Sequence, residues 1–341
     1  MDNDLLYMHR ALELAELGRG HVSPNPMVGC VIVHQGKVIG EGFHEIYGGP
    51  HAEPNAINQV DDFDLLKTST VYVTLEPCAH WGKTPPCADL LIKHQVQRVV
   101  IGAIDSNPLV GGKSIQRMKD AGIEVLNGVL EKEVREQNKR FFTTMEKERP
   151  YIVLKWAQTS DGYIARKNND SKWISNVYSR QLVHQWRAEE DAILVGKNTV
   201  LFDNPSLNVR DWSGKDPVRV ILASSLDWQH PFQVLDRSIP TIIFNRDIQK
   251  DDGNLSLVKI EDNKNLTHIL QILQQRKISS VLVEGGSEVL QAFISHNLWD
   301  EARVFSSTCT FGDGIPAPKI SGTITRELDV MGDKLSIYHN H

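Results

Sequence analysis

The segment Glu76-Pro-Cys-Ala-His-Trp-Gly-Lys-Thr-Pro-Pro-Cys87 follows the β-branched run Thr70–Leu75, and the tripeptide His51-Ala-Glu53 lies upstream of both. One histidine and two cysteines can supply three zinc ligands, which leaves the fourth tetrahedral position open as in a catalytic site. The order His-x-Glu followed by Pro-Cys matches the signature of zinc deaminases, which replace an amino group on a heterocycle with oxygen. Eight residues separate Cys78 from Cys87, whereas the usual signature has two. Either the match is accidental or the longer loop has a role of its own.

The candidate metal ligands are expected at the ends of regular elements. His51 begins a predicted helix, and Glu53 stands in its first turn, within reach of a zinc-bound water. Cys78 ends a strand and Cys87 opens another helix, where the helix dipole stabilises a thiolate. Zinc lowers the pKa of its water, and Glu53 is expected to carry the water proton to the departing amine. His80 is the competing ligand, although we expect it to contact substrate.

The two other cysteines are expected to be structural. Cys30 lies in the apolar run Val28-Gly-Cys-Val-Ile-Val33, which is typical of a buried strand. Cys309 has no partner signal in the sequence. Four cysteines in 341 residues are sparse for a disulfide-stapled secreted protein, so the close pair is better explained by a metal site.

Composition and charge indicate an ordinary globular chain. The hydrophobic fraction is 40%, the charged fraction is 23%, and the net charge is −6. This acidic balance argues against an extended nucleic-acid surface, which normally shows a basic excess. The sequence has no signal-peptide pattern and no apolar stretch near the ~18 residues that a membrane span requires. We therefore expect a soluble, cytoplasmic protein that binds neither nucleic acid nor membrane.

The order of the elements predicts a layered α/β architecture in two halves. In the first half, strands at 28–33, 38–40, 70–75, 98–105 and 124–129 alternate with helices at 52–59, 87–94 and 114–121. A charged helix at 131–148 should end before Pro150, since the residue preceding a proline disfavours helix. The second half predicts strands near 151–157, 191–196, 217–223, 240–245, 279–284 and 300–307, with helices near 176–189, 265–276 and 287–296. Residues 246–264 are polar and are predicted to form a surface loop or irregular edge.

Several motifs together resemble the bifunctional riboflavin-biosynthesis deaminase/reductase family. The long loop between Cys78 and Cys87 is highly specific to this group, and the resemblance covers essentially the whole chain. The other motifs are Pro24-Asn-Pro-Met-Val-Gly29, Gly49-Pro-His-Ala-Glu53, Asp105-Ser-Asn-Pro108, Gly111-Gly-Lys113, Leu154-Lys-Trp-Ala-Gln-Thr-Ser-Asp-Gly162, Lys172-Trp-Ile-Ser175, Asp203-Asn-Pro-Ser-Leu-Asn-Val-Arg210 and Val283-Glu-Gly-Gly286.

The resemblance implies two domains and two successive reactions. Residues 1–147 would form a cytidine-deaminase-like α/β/α domain that uses zinc to remove the 2-amino group of a diaminopyrimidinone carrying a ribosylamino 5′-phosphate. Residues 150–341 would form a dihydrofolate-reductase-like α/β domain that uses NADPH to reduce the ribosyl group to a ribityl chain. The partner is then a small pyrimidine ribonucleotide, and self-association is expected because family members commonly form homo-oligomers.

The resemblance also assigns contacts to the deaminase substrate. His80, Lys83 and Thr84 are suitable donors for a ribose phosphate. Asn25 and Asn107 can read a pyrimidinone edge through paired donor and acceptor groups, although without the resemblance they would be interpreted as turn asparagines beside proline. The assigned residues are Asn25, His80, Lys83, Thr84, Asp105 and Asn107.

The reductase half has no sequence fingerprint for nucleotide binding, so its site residues are assigned from the resemblance. No G-x-G-x-x-G opens a βαβ unit, and Gly285-Gly286-Ser287 after a strand is the nearest phosphate cradle. The NADPH side is assigned to Ala157, Trp173, Thr199, Asp203, Ser224, Gly286, Ser287, Glu288, Val289, Leu290, Gln291 and Ala292. The substrate side is assigned to Ser171, Arg187, Leu207, Arg210 and Glu284.

Charge suggests roles for some of these reductase residues. Arg187 and Arg210 can hold a phosphate by forked hydrogen bonds. Glu284 can accept from ring N–H groups or sugar hydroxyls. Asp203 is a candidate for proton supply or orientation at the sugar, but an Asp-Asn-Pro is equally a helix cap.

Two other functions are weighed against this interpretation. A deaminase of nucleic-acid bases with an accessory domain would carry a basic, aromatic-lined groove, and the acidic balance argues against it. A non-catalytic deaminase-like protein would be expected to lose Glu53 or a metal ligand, and all four residues are present.

Overall fold

A computed structural model of the chain describes residues 2–79, 86–107, 111–170, 174–226, 228, 231–262 and 265–340. The chain divides into two compact units, residues 1–148 and residues 149–341. Within the described residues, no helix is both long enough and apolar enough to cross a membrane.

The first unit is built on a mixed five-stranded sheet. Its strands are β1 (Gly29–His34), β2 (Lys37–Phe43), β3 (Thr70–Leu75), β4 (Arg98–Ala103) and β5 (Glu124–Asn127), in the order β2-β1-β3-β4-β5. Strands β3, β4 and β5 are parallel, and β1 runs antiparallel to both of its neighbours. The predicted hairpin is confirmed: Gln35 and Gly36 both have positive φ, as the tight turn between β1 and β2 requires.

Helices cover both faces of this sheet, which explains the continuous apolar runs in its strands. The helices are α1 (Asp2–Glu16), α2 (Ala52–Ile57), α3 (Cys87–Lys93), α4 (Lys113–Asp120), α5 (Glu131–Gln137) and α6 (Lys139–Lys147). Ile32, Val73 and Ile101 pack with α2, α3 and α4 on one face. Val31 and Tyr72, which alternate with them along the strands, pack with α1 on the other.

One predicted element of this half is wrong in detail. The single charged helix expected at 131–148 is two helices, α5 and α6, joined at Asn138. Asn138 is 3% exposed, and its side chain accepts from Met27 N at 2.8 Å and donates to Met27 O at 2.9 Å. These two hydrogen bonds to the distant Met27 peptide form where the helix is interrupted. They also hold the turn that carries Asn25.

The second unit contains a ten-stranded sheet. Its strands are β6 (Tyr151–Gln158), β8 (Ala192–Gly196), β9 (Val218–Leu222), β10 (Thr241–Asn245), β11 (Lys250–Asp252), β12 (Leu255–Lys259), β13 (Ser280–Gly285), β14 (Glu301–Ser306), β16 (Thr323–Val330) and β17 (Asp333–His339). Their order is β11-β12-β10-β9-β8-β13-β6-β14-β17-β16. Strands β7 (Tyr163–Ala165) and β15 (Ile315–Pro316) pair separately.

Seven adjacent strands of the large sheet, from β12 to β14, are parallel. Helices α7 (Val177–Glu189), α8 (Lys197–Asp203), α9 (Leu266–Gln275) and α10 (Ser287–Ser295) connect strands of this unit. Because the carboxyl ends of parallel strands meet at one edge, residues that follow β6, β8, β9 and β13 are brought together there.

The predicted strands and helices of the second half are confirmed, but several elements were not predicted, among them β7, α8 and β15. Residues 246–264, predicted to be a loop or irregular edge, contain strands β11 and β12. Strand β12 lies in a polar stretch of sequence, which is why it was not predicted. In the structure, Val258 is buried and β12 pairs in parallel with β10. The hairpin of β16 and β17 was not predicted, and β16 is exposed along nearly its whole length.

Replacing Asn138 with alanine should leave the N–H and C=O of Met27 without partners. We expect the local opening free energy at Met27 to fall by about 1–3 kcal/mol, measured by amide hydrogen exchange of the full chain. Glu136→Ala, at an exposed position of α5, should change it by less than about 0.5 kcal/mol. Unchanged exchange at Met27 in Asn138→Ala would contradict this role.

Candidate active sites

The three predicted metal ligands converge in the first unit. His51 is the residue before α2, Cys78 follows β3 after Pro77, and Cys87 is the first residue of α3. The Nδ1 atom of His51 lies 3.6 Å from Cys78 Sγ and 3.4 Å from Cys87 Sγ, and all three ligand atoms lie within 4.8 Å of one another. Zinc bound tetrahedrally by nitrogen and sulfur would separate such ligands by roughly 3.5 Å. The donor set and its spacing therefore fit zinc.

Electrostatics at this cluster favour a thiolate. A hydrogen bond with Cys87, followed by one with His51, lowers the pKa of the Cys78 thiol to about 4 despite its burial. The hydrogen bond to Cys78 in turn raises the pKa of His51. The backbone N–H of Cys87, in the first turn of α3, also donates to Cys78 Sγ at 3.3 Å. Negative charge on sulfur is what a dication at this position requires.

Glu53 is the buried carboxyl of the same cluster. It lies in the first turn of α2 and is 3% exposed. Burial, followed by the negative charge on Cys78, raises its pKa above the usual range for a glutamate. A carboxyl whose pKa moves toward neutrality can both accept and release a proton, as a general acid–base group must.

His44 is a site residue that the sequence analysis missed. It is buried, its ring lies edge-on to His51 with centroids 5.4 Å apart, and burial lowers its pKa. Its Nδ1 lies 2.8 Å from Pro50 O, so Nδ1 carries the proton and Nε2 accepts from Asn25 Nδ2 at 3.2 Å. His44 thus fixes the Asn25 amide beside the metal cluster. No motif marks it, because a single histidine after a strand carries no signal.

The other predicted deaminase contacts that the structure describes follow β4. Since β3 and β4 are parallel and pair Leu75 with Ala103, Asp105 and Asn107 emerge at the same sheet edge as Cys78. The Asp105 carboxylate accepts from the N–H of Asn107 at 2.7 Å, which closes a tight turn. Predicted contacts His80, Lys83 and Thr84 lie outside the described residues.

In the second unit, a buried ion pair occupies the predicted reductase site. Arg187, in α7, donates from Nε and Nη2 to the two carboxylate oxygens of Glu284, both at 2.7 Å, and from Nη1 to Asn208 O at 3.0 Å. Burial opposes ionisation of Glu284, but the charge of Arg187 outweighs it and brings the pKa to about 2. By contrast, the Arg210 side chain is 56% exposed, so it is the more accessible cation.

Lys155 is a second residue that the sequence analysis did not assign. It stands in β6 beside β13, where burial lowers its pKa and the nearby charge of Glu284 opposes that effect. A lysine directly after the apolar run Tyr151–Leu154 was a usable signal, because a charged side chain in a central parallel strand is costly to bury.

Several of the predicted NADPH residues lie at a glycine turn at the end of β13. Gly285 has a φ of +124°, which favours glycine, and Gly286 precedes α10. A Cβ atom on Gly286 would lie 3.5 Å from Thr199 Oγ1, and one on Gly196 would lie 2.8 Å from Val289. The first turns of α8 and α10 therefore approach each other closely at this turn, where their N–H groups can bind a phosphate.

The remaining predicted NADPH contacts are more scattered. Ala157 lies near the end of β6, Asp203 ends α8 and Ser224 follows β9. The side chain of Leu290 is buried in the core, as is Leu207 of the substrate side. Glu288, Gln291 and Ala292 lie in α10 with Ser287, whereas Ser171 and Trp173 lie outside the described residues.

Comparison with known proteins identifies the family. A family model described as the RibD C-terminal domain matches residues 150–330, and one described as the cytidine and deoxycytidylate deaminase zinc-binding region matches residues 1–103. The riboflavin biosynthesis protein RibD of Aquifex aeolicus is 43% identical over 318 residues, covering 92% of this chain and 89% of the relative. The chain belongs to the RibD family.

Solved structures of RibD proteins match over both units. A deaminase/reductase from Thermotoga maritima, described as acting on diaminohydroxyphosphoribosylaminopyrimidine and 5-amino-6-(5-phosphoribosylamino)uracil, has 39% identity, 99% coverage of each chain and a TM-score of 0.90. RibD of Acinetobacter baumannii has 35% identity, 99% coverage of each chain and a TM-score of 0.91. The predicted fold class, a cytidine-deaminase-like domain followed by a dihydrofolate-reductase-like domain, is confirmed. So is the prediction of a bifunctional deaminase and reductase of riboflavin biosynthesis.

His184, beside the Arg187–Glu284 pair, predicts a pH dependence of stability in this RibD-family reductase unit. Its Nδ1 accepts the N–H of Arg210 at 3.4 Å, and Nε2 lies 3.4 Å from Asp211. Burial, followed by the charges of Arg187 and Arg210, lowers its pKa to about 4 from 6.5. Between these values the unfolded chain binds the proton and the folded chain does not, so stability is lost as pH falls.

We expect protonation linked to His184 to lower the free energy of unfolding of the second unit by about 1–3 kcal/mol as the pH falls from 6.5 to 4. Urea unfolding followed by tryptophan fluorescence measures it, since six of the seven tryptophans lie in residues 150–341. In His184→Asn, whose amide oxygen can replace Nδ1 as acceptor, this part of the pH dependence should disappear. Equal slopes in the two proteins would refute the assignment.

Proposed function

We propose that the chain catalyses two successive steps of riboflavin biosynthesis. Residues 1–147 hydrolytically deaminate 2,5-diamino-6-ribosylamino-4(3H)-pyrimidinone 5′-phosphate with the aid of zinc. Residues 150–341 then reduce the ribosyl group with NADPH, giving 5-amino-6-ribitylaminouracil 5′-phosphate. The observation that carries the proposal is the convergence of His51, Cys78 and Cys87 beside the buried Glu53, in a chain of the RibD family.

In the deaminase half, the three ligands would hold zinc and leave one position for water. When bound, zinc supplies a Lewis acid that makes a water nucleophilic near neutral pH. Glu53, buried beside the ligands, would accept the water proton and deliver it to the departing amine. Its raised pKa supports the second of these transfers, because the carboxyl retains a proton more readily than an exposed glutamate.

The substrate side of the deaminase is supported by Asn25, Asp105 and Asn107. His44 bonds the Asn25 amide next to His51, and Asp105 and Asn107 leave the sheet at the same edge as Cys78. Such amide and carboxylate groups pair with the donors and acceptors of a pyrimidinone. Binding of the ribose phosphate by His80, Lys83 and Thr84 remains a prediction from the resemblance.

In the reductase half, NADPH would supply hydride at the edge formed by β6, β8, β9 and β13. The turn at Gly286 and the first turn of α10 are suited to its phosphates. Glu284, held ionised by Arg187, provides a fixed acceptor for substrate N–H or hydroxyl groups. Arg210, whose side chain is exposed, is the preferred phosphate ligand, and Lys155 adds a partly buried cation whose charge acts on Glu284. Self-association and cytoplasmic location remain predictions from the sequence.

A deaminase of nucleic-acid bases is the alternative, and family membership disfavours it. The two functions separate in one assay on the purified full chain. The proposal predicts ammonia release from the free pyrimidine nucleotide followed by NADPH oxidation, with neither RNA nor DNA releasing ammonia. Ammonia release from nucleic acid alone would overturn it.

Cys87→Ser should abolish zinc binding and deamination, because a serine hydroxyl is a poor zinc ligand beside a thiolate and an imidazole. Reduction of the deaminated intermediate should persist, since its residues lie in the other unit. Metal analysis and separate assays of the two half-reactions measure these outcomes. Cys309→Ser in the second unit is the control and should retain zinc. Full zinc occupancy in Cys87→Ser would remove Cys87 from the ligand set.

Glu53→Gln should retain zinc and lower the deamination rate roughly 10²- to 10⁴-fold, the range typical for loss of a general acid–base group. The amide has the same shape but cannot carry the proton. Glu45→Gln, at an exposed position before the cluster, is the matched control and should deaminate normally. A Glu53→Gln variant with substantial activity would exclude the proton-transfer role.

A further inference from the structure

Glu76, the residue two before Cys78, is buried and fully engaged in hydrogen bonds. Its side chain lies in the first unit and the residue is 3% exposed. Its Oε1 accepts from Ser114 N at 3.2 Å and Ser114 Oγ at 2.7 Å. Its Oε2 accepts from Gly112 N at 2.9 Å and Asp105 N at 3.4 Å. Every one of these donors comes from residues 105–114, of which 108–110 lie outside the described residues.

These donors compensate the charge of Glu76 without a cation. No lysine, arginine or histidine of the described residues forms an ion pair with it. Gly112 precedes helix α4 with a φ of +75°, and Ser114 is in the first helical turn. N–H groups at such a helix start bind an anion well, because they have no partner within the helix. The motif Gly111-Gly-Lys113, which resembles a phosphate cradle, is therefore filled by a carboxylate of the same chain.

Because Glu76 lies two residues before Cys78, its hydrogen bonds also bear on the metal cluster. Its own N–H donates to Ala103 O at 3.0 Å, which extends the pairing of β3 with β4 to the end of both strands. One residue thus joins the strand that leads to Cys78 with the segment that follows β4. That segment carries Asp105 and Asn107, and the Asp105 carboxylate accepts the N–H of Asn107 at 2.7 Å.

We propose that Glu76 is a positioning residue of the deaminase, holding residues 105–107 and 111–114 in the geometry that binds substrate beside Cys78. It touches neither substrate nor metal. Its carboxylate fixes the Asp105 N–H and the start of α4, and Asp105 then fixes the turn at Asn107. The inference rests on the proposed function in one respect, since it takes Asp105 and Asn107 as substrate contacts.

Glu76→Gln tests this inference with little change of shape. An amide replaces one acceptor oxygen with an NH₂ donor. In one orientation the N–H groups of Gly112 and Asp105 then face a donor; in the other the Ser114 N–H does, while the Ser114 hydroxyl must turn to accept. In the full chain with zinc bound, amide exchange at Gly112 and Ser114 should accelerate roughly ten- to hundredfold, as expected for the loss of charge-assisted hydrogen bonds. Exchange in the core strands should stay as in the wild-type protein.

Kinetics supply the second measurement. Deaminase KM for the pyrimidine nucleotide should rise roughly tenfold or more, while kcat changes less than KM and zinc content stays at the wild-type level. The reductase half-reaction should be unaffected. A change confined to KM, with metal retained, separates a positioning role from general damage to the fold or to the metal cluster.

Ser114→Ala is the milder companion variant, because it removes only the hydroxyl donor and leaves the carboxylate charged. It should raise KM a few-fold with zinc retained, and it decides the question if Glu76→Gln does not fold. The inference is overturned if exchange and KM are both unchanged in the variants, or if Glu76→Gln folds but loses zinc. Failure of the proposed function would look different: the wild-type protein would release no ammonia, while the exchange difference between wild type and Glu76→Gln would still appear.

Discussion

A carboxylate that leaves water needs compensating donors or cations, and buried carboxylates of this kind organise both units of the protein. Glu76 in the first unit is compensated by backbone N–H groups and one hydroxyl. Glu284 in the second is compensated by the forked guanidinium of Arg187. Glu53 has weaker compensation, because burial and the charge on Cys78 both oppose its ionisation. Glu76 and Glu284, whose charges are well compensated, have proposed roles as fixed hydrogen-bond acceptors. Glu53, whose charge is less well compensated, has a proposed role in proton transfer.

The parallel strands determine where these groups meet. Residues that follow β3 and β4 come to one edge of the first sheet, and residues that follow β6, β8, β9 and β13 come to one edge of the second. Loops at such an edge contain many unpaired N–H and C=O groups, so their conformation must be set by side chains from elsewhere. Asn138 does this for the turn at Met27, and Glu76 does it for residues 105–107 and 111–114.

The sequence predicted which three side chains would come together, because their identity is carried by residue type and order. His51, Cys78 and Cys87 needed only the usual register of strand and helix to come together, and apolar runs marked those elements clearly. The break at Asn138 was not predictable, since the amide bonds to a peptide 111 residues away and no local pattern encodes that contact. His44 was missed for the same reason: its importance comes from lying against His51 and Asn25, which are distant in sequence or separated by turns.

Arg187 shows the limit of assigning roles from residue type alone. An arginine next to a proposed phosphate site is chemically suited to bind phosphate, yet the same forked geometry suits a buried carboxylate. In the structure, the Arg187 guanidinium pairs with the Glu284 carboxylate, and the two charges are removed from water together. Separating that pair to bind a phosphate would leave Glu284 buried without its main counter-charge, which costs about 3–5 kcal/mol. Arg210 faces no such cost, because its side chain is largely solvated and its contact with Asp211 is long at 3.6 Å. We therefore propose that Arg210 binds the substrate phosphate and that Arg187 keeps Glu284 charged.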